Sequence, residues 1–114
     1  MTNKQIGDFG ESKASEYLKL KNYKIIKRNY RVRNGEIDII AKAPDDTLVF
    51  IEVKARSNQS YGHALESITP TKLQKIRKTS LFYIYKNQNE TEHTYRYDVI
   101  YFQNNRMEHL ENIY

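Results

Sequence analysis

Apolar and small residues fall into two rhythms along the chain, and the change from one to the other predicts seven elements. Ile6, Phe9, Gly10, Ala14, Tyr17 and Leu18 recur at helical spacing, which predicts a helix from residue 6 to about residue 21. Thr2, with Gln5 three residues on, offers a capping box for its start. Residues 23–29 read as a short strand, Asn34-Gly35 as a turn, and residues 36–42 as an alternating second strand. Pro44-Asp45-Asp46 makes a hairpin-like turn into residues 47–54, the most strand-like segment of all. A glycine-containing loop runs through Gly62. Thr69-Pro70 then supplies an N-cap and a first-turn proline. The second helix runs to about residue 86, with Leu73, Ile76, Ser80, Tyr83 and Ile84 facing inward. Residues 94–102 and 106–114 complete the pattern as a fourth and a fifth strand. The order αβββαββ argues for an α/β fold with a mixed central sheet and helices against it. The helix between the third and fourth strands permits a parallel crossover. With 114 residues and no repeat or linker, a single domain over 1–114 is expected.

Composition narrows the chemistry. The chain has no cysteine, which excludes disulfides and thiolate zinc sites. His63, His93 and His109 are scattered without ligand spacing, so any metal should be a hard ion held by carboxylates. No apolar run approaches the ~20 residues of a membrane span, and the N-terminal segment does not read as a signal peptide. A cytoplasmic protein with no membrane partner is the expectation. The net charge is +5, and residues 1–57 carry twelve basic and eight acidic side chains. A positive surface of that kind suits DNA or RNA, although many basic domains bind neither.

The informative feature is charge inside strands that otherwise look buried. In the third strand Leu48, Phe50, Glu52 and Lys54 share one face, and Val49, Ile51 and Val53 share the other. Both faces are apolar, as in a central strand covered on two sides. A carboxylate there is costly unless something pairs with it. In the second strand Glu36, Asp38 and Ile40 are expected on one face, with Ile37, Ile39 and Ala41 opposite. Folding the hairpin about residues 45–46 brings Asp38 roughly opposite residues 52–54. Two half-buried carboxylates beside one lysine repel unless a cation joins them. A hard divalent ion would do so while also holding a phosphate oxygen and a water, which are the parts phosphodiester cleavage needs. A structural ion-pair cluster is the competing reading.

With those residues in view, Gly35-Glu36-Ile37-Asp38-Ile39-Ile40-Ala41 and Phe50-Ile51-Glu52-Val53-Lys54-Ala55-Arg56 together resemble the PD-(D/E)XK nuclease core. More narrowly, the chain resembles the YraN-type family of predicted endonucleases, themselves similar to archaeal Holliday-junction resolvases. Gly7, Gly10-Glu11 and Ala14 resemble the family's first helix, and Arg28-Asn29-Tyr30-Arg31 its first strand. Gly62, Lys72 and Arg96-Tyr97-Asp98-Val99 match its later landmarks, whereas Asn22-Tyr23 stands where the family usually has glycine and an aromatic. The resemblance implies a restriction-endonuclease-like αβββαβ core. It also implies Mg2+ or Mn2+ on Asp38, Glu52 and the Val53 carbonyl, with Lys54 as the catalytic lysine. Glu11 would reach the metal directly or through water. The implied activity is an endonuclease acting on DNA, extending to branched or repair intermediates. Symmetric cutting of two strands would call for a homodimer, for which no surface stands out in the sequence.

The remaining charges divide less cleanly. Glu36 is either a further ligand or a strand-end charge, and Asp98 is expected to pair with Arg96. Lys72 and Lys75 share a helix face and, with Arg56, are candidates for phosphate contact. Arg31 and Arg33, with Arg28, bracket the turn between the first two strands as a second candidate patch. The ten tyrosines are expected mostly in the core, with Tyr61 the best candidate for base stacking. A nucleic-acid-binding module that recruits repair or recombination partners, with little cleavage of its own, is the alternative function.

Overall fold

The computed structural model describes residues 2–33, 35–55, 68–87, 94–103 and 106–113. Helix α1 (Asn3–Leu20) opens on the expected capping box: the Thr2 hydroxyl accepts from the Gln5 N–H, and the Gln5 side chain accepts from the Thr2 N–H. Asn22, in the left-handed region at φ 66°, turns the chain back into β1 (Lys24–Val32). There follow β2 (Gly35–Lys42), β3 (Leu48–Ala55), α2 (Pro70–Lys86), β4 (Tyr95–Gln103) and β5 (Arg106–Leu110). Thr69 caps α2, its side chain accepting from the Lys72 N–H, and Pro70 occupies the first turn.

The strands form one sheet in the order β1-β2-β3-β4-β5. β3 and β4 run parallel, with Leu48 opposite Tyr95 and Lys54 opposite Tyr101, and the other neighbours are antiparallel. This mixed sheet with two helices is the α/β arrangement expected, compatible with a restriction-endonuclease-like core. No helix among the described residues is long and apolar enough to cross a membrane.

β3 is the central strand and is apolar on both faces. Val49 and Ile51 pack with Ile39, Ala41 and Ile100 against Ala14 and Leu18 of α1. Leu48 and Phe50 pack with Ile37 and Ile40 against Ile76, Tyr83 and Ile84 of α2. Gly10 is where α1 comes closest to the sheet: a Cβ there would lie 2.9 Å from the Ala55 Cβ. Gly35 plays the same part for α2, since a Cβ on it would overlap the Thr79 hydroxyl.

Three expectations need correction. Phe9 is 50% exposed, because α1 meets the sheet only from Gly10 onward, and Lys13 lies over its ring. β5 stops at Leu110 rather than running to residue 114. Asn112 adopts φ 56° and gives its N–H to Asp98 instead of a strand partner. Finally, Ile37 packs on the α2 side with Ile40, while Ile39 and Ala41 pack on the α1 side. The in-out alternation of β2 therefore slips at Asp38.

Candidate metal centre

That slip shapes the site. β2 and β3 are paired from Lys42 opposite Leu48 to Ile39 opposite Ile51, and the regular ladder stops there. One step further, where Asp38 would face Glu52, a side chain takes over. The Asp38 Oδ2 accepts the Val53 N–H at 2.7 Å. A backbone donor is thus satisfied by a carboxylate, which is fixed in turn between the diverging strands. Across β2, Arg28 faces Ile39 and Tyr30 faces Ile37. Asn29, lying between them, has φ 53°. A left-handed residue inside a strand is uncommon and tends to occur where a side chain must be re-aimed.

Glu52 and Lys54 follow Phe50 along the α2 face of β3. Their side chains form an ion pair at 3.2 Å, with side-chain exposures of 18% and 15%. A cavity of about 160 Å³ opens over them, lined also by Gly35, Glu36, Lys72, Lys75 and Ile76. Lys72 and Lys75 therefore share this cavity with Glu52 and Lys54. Glu36 lines the same cavity and pairs with Arg31 at 3.4 Å. That contact draws Arg31 to a carboxylate rather than leaving it open to phosphate. Arg33 lines a neighbouring groove. Arg56, Tyr61 and Gly62 lie outside the described residues.

The electrostatics are those of a site short of positive charge. Burial pushes the Asp38 carboxyl from its usual range up to about 8; Glu52 adds to the shift, Glu11 and Glu36 add less, and the Val53 N–H opposes it. Glu11, one residue beyond the close approach at Gly10, is also raised, first by burial, with Arg28 and an Asn29 hydrogen bond acting against the shift. Its Oε1 is buried and has no hydrogen-bond partner. A buried, unpartnered carboxylate oxygen within electrostatic range of Asp38 and Glu36 fits a bound cation, and an all-oxygen donor set suits a hard divalent ion. Glu11, Asp38 and Glu52 do not, however, bring three ligand atoms within 4.8 Å of one another. The chain's carboxylates have otherwise turned to the nearest donors they have: Asp38 to Val53, and Glu52 to Lys54. Asn29 is the site residue that reasoning from residue types alone passed over. An asparagine inside a strand segment was the available signal, since that residue type is depleted there.

A second polar cluster surrounds Asp98, which pairs with Ile51 beside Glu52 in the sheet. Asp98, His109 and Glu111 place potential ligand atoms within 4.8 Å of one another. Those atoms are already bonded. Arg96 forks onto Asp98 with two bonds of 2.9 Å, as expected from sequence, and approaches Glu111 at 3.3 Å. His109 contacts Asp98 at 2.7 Å through Nε2 and the Tyr17 hydroxyl at 2.9 Å through Nδ1. Burial would raise the Asp98 carboxyl, but bonds from His109, Arg96 and the Asn112 N–H outweigh it and hold it below its usual range. The cluster fastens β5 and the following segment to β4 and α1, and a cation there would have to displace Arg96.

Comparison with known proteins places the chain in a family without assigning it a reaction. A family model described as "Uncharacterised protein family UPF0102" matches residues 10–102. A UPF0102 protein of Clostridioides difficile (strain 630) is 45% identical over 116 residues, covering the whole of both chains. A UPF0102 protein of Sulfurihydrogenibium sp. (strain YO3AOP1) is 44% identical, covering all of this chain and 97% of that one. A third, from Persephonella marina, is 42% identical over 95% of this chain and 91% of its own. With its matched span running from the Gly10 contact through both strands of the carboxylate site to β4, the chain belongs to the UPF0102 family.

Proposed function

We propose that the protein is a divalent-metal-dependent endonuclease that hydrolyses phosphodiester bonds of DNA. The observation that carries this reading is the unpartnered buried Oε1 of Glu11, within electrostatic reach of an Asp38 carboxyl already crowded by Glu52. Asp38, Glu52, Glu11 and the Val53 carbonyl are the groups that would hold Mg2+ or Mn2+. When bound, such an ion supplies a Lewis acid for a phosphoryl oxygen and lowers the pKa of a coordinated water. The chain's own residues do the rest. The Val53 N–H holds Asp38 Oδ2, which would limit the rotation of the carboxylate before it took up a cation. Glu52 holds Lys54 in the cavity, from which its ammonium can orient the attacking water or meet the charge that develops on the phosphate. Lys72 and Lys75, which line the same cavity, hold the flanking phosphates.

Labelled linear, flap and four-way-junction DNA, incubated with Mg2+, Mn2+ or EDTA, tests the reading beside Asp38→Ala and Lys54→Ala. Metal-dependent cutting lost in both variants is the expected result. Cutting that survives in both would remove the site from the reaction. Tight, salt-dependent binding without cutting would favour a recruiting module instead.

A further inference from the structure

The cation-lined wall of the site does not end at Lys75. That residue also lines a second cavity, of about 460 Å³, between the β1–β2 turn and α2, together with Val32, Arg33, Lys78, Thr79 and Phe82. Its lining is apolar and cationic, and no carboxylate lines it among the described residues. Phe82 is 43% exposed and lines the groove, with Lys86 over its ring at 5.5 Å. α2 as a whole carries Lys72, Lys75, Arg77, Lys78 and Lys86 and no acidic residue. Residues 17–33 likewise carry seven basic side chains and no acidic one. A second copy of the chain seated here by two-fold symmetry would set these cations against one another. A nucleic-acid strand would meet the cations with its phosphates and the exposed ring with a base.

We propose that this groove binds an unpaired nucleotide of the substrate strand, stacked on Phe82, with Arg33 and Lys78 on its phosphates. The assignment rests on the nuclease reading of the adjoining carboxylate site and deepens it. The preferred substrate is then DNA in which a single-stranded segment adjoins the cleavage point, not continuous duplex. In duplex the base faces are already stacked and unavailable to a side chain. Because Lys75 lines both cavities, one strand can run from Glu52 and Lys54 into the groove without leaving the cationic surface.

The test reads binding rather than cleavage. Fluorescence anisotropy in EDTA compares a blunt duplex with the same duplex carrying a short single-stranded tail, for wild type, Phe82→Ala, Phe82→Tyr and Lys78→Gln. Phe82→Ala is expected to weaken tailed DNA about tenfold, in keeping with the loss of one base–aromatic stack, and to leave blunt duplex unchanged. Phe82→Tyr should retain the preference, and Lys78→Gln should lower the salt dependence for tailed DNA. Equal affinity of wild type for both DNAs, or equal losses on both in Phe82→Ala, would overturn the proposal. So would a Phe82→Ala protein that changes oligomeric state in sedimentation. Since EDTA blocks turnover, failure of the groove and failure of the nuclease reading are separate results. Cutting without Phe82-dependent discrimination removes the groove; discrimination without cutting in Mg2+ or Mn2+ removes the nuclease.

Discussion

Asp38 is held in the fold at a cost to its charged form, which the Val53 N–H offsets only in part. Its folded-state pKa stands near 8, far above the ~3.9 of a free aspartate. Between those two values the folded protein binds a proton that the unfolded chain releases. Metal-free stability is therefore expected to fall as pH rises from about 4 to about 8. Thermal melts in EDTA across that range would check the sign, and a rise with pH would contradict it. Asp38→Asn keeps an acceptor for the Val53 N–H but removes the charge. It should raise the metal-free melting temperature at pH 8.5 by at least ~4 °C while abolishing cleavage. Asp98 behaves oppositely. Its pKa is held low, so its contribution is present above the ordinary carboxylate range and is lost only as pH falls below that range, through the lowered folded-state value. Arg96→Met would leave Asp98 buried without its guanidinium and should cost roughly 3–5 kcal/mol in urea denaturation at neutral pH.

At the scale of elements, the two helical glycines of α1 behave as a matched pair. A Cβ at Gly7 would meet nothing within 4 Å, whereas one at Gly10 would press on Ala55 at 2.9 Å. Gly7→Ala should stabilise by about 0.5–1 kcal/mol through helix propensity alone. Gly10→Ala should destabilise by about 1–3 kcal/mol, because the helix must back away from β3. Glu11 moves with it, so weakened Mg2+ affinity by calorimetry should accompany the loss. Wild-type affinity in Gly10→Ala would detach Glu11 from the metal. The sequence made much of this level legible. The Thr2 and Thr69 caps, the Pro44-Asp45-Asp46 hairpin and the double-faced apolar run of β3 are local signals, and they placed Asp38 next to Glu52. The slip of β2 at Asp38 and the left-handed Asn29 beside it were not legible. They arise where two strands separate around a carboxylate, and period-two patterning carries no record of lost pairing. The exposure of Phe9 escaped for a similar reason, since helical spacing marks a face but not where along it the sheet begins.

Across the whole molecule, charge is distributed unevenly enough to predict a salt response. Four carboxylates (Glu11, Glu36, Asp38 and Glu52) interact around the split between β2 and β3, while α2 and β1 carry cations and no acidic residue. If Lys72 and Lys75 each neutralise one phosphate, the double variant Lys72→Gln/Lys75→Gln should flatten the slope of log affinity against log salt by roughly 2. An unchanged slope in binding titrations from about 50 to about 200 mM salt would remove both from the DNA surface.

The open side of β1 has a consequence of its own. Any sheet must end somewhere, and an outermost strand with evenly spaced free amides and carbonyls is a template on which foreign strands can grow. Here that strand shifts register between Ile25 and Lys27, turns left-handed at Asn29, and bears Lys24, Lys27, Arg28 and Arg31 along its length. The far border, β5, has only five residues. Both margins are thus poor seeds for fibrils or edge-to-edge oligomers, and the irregularity that aims Asn29 at Glu11 also helps to keep concentrated protein in solution.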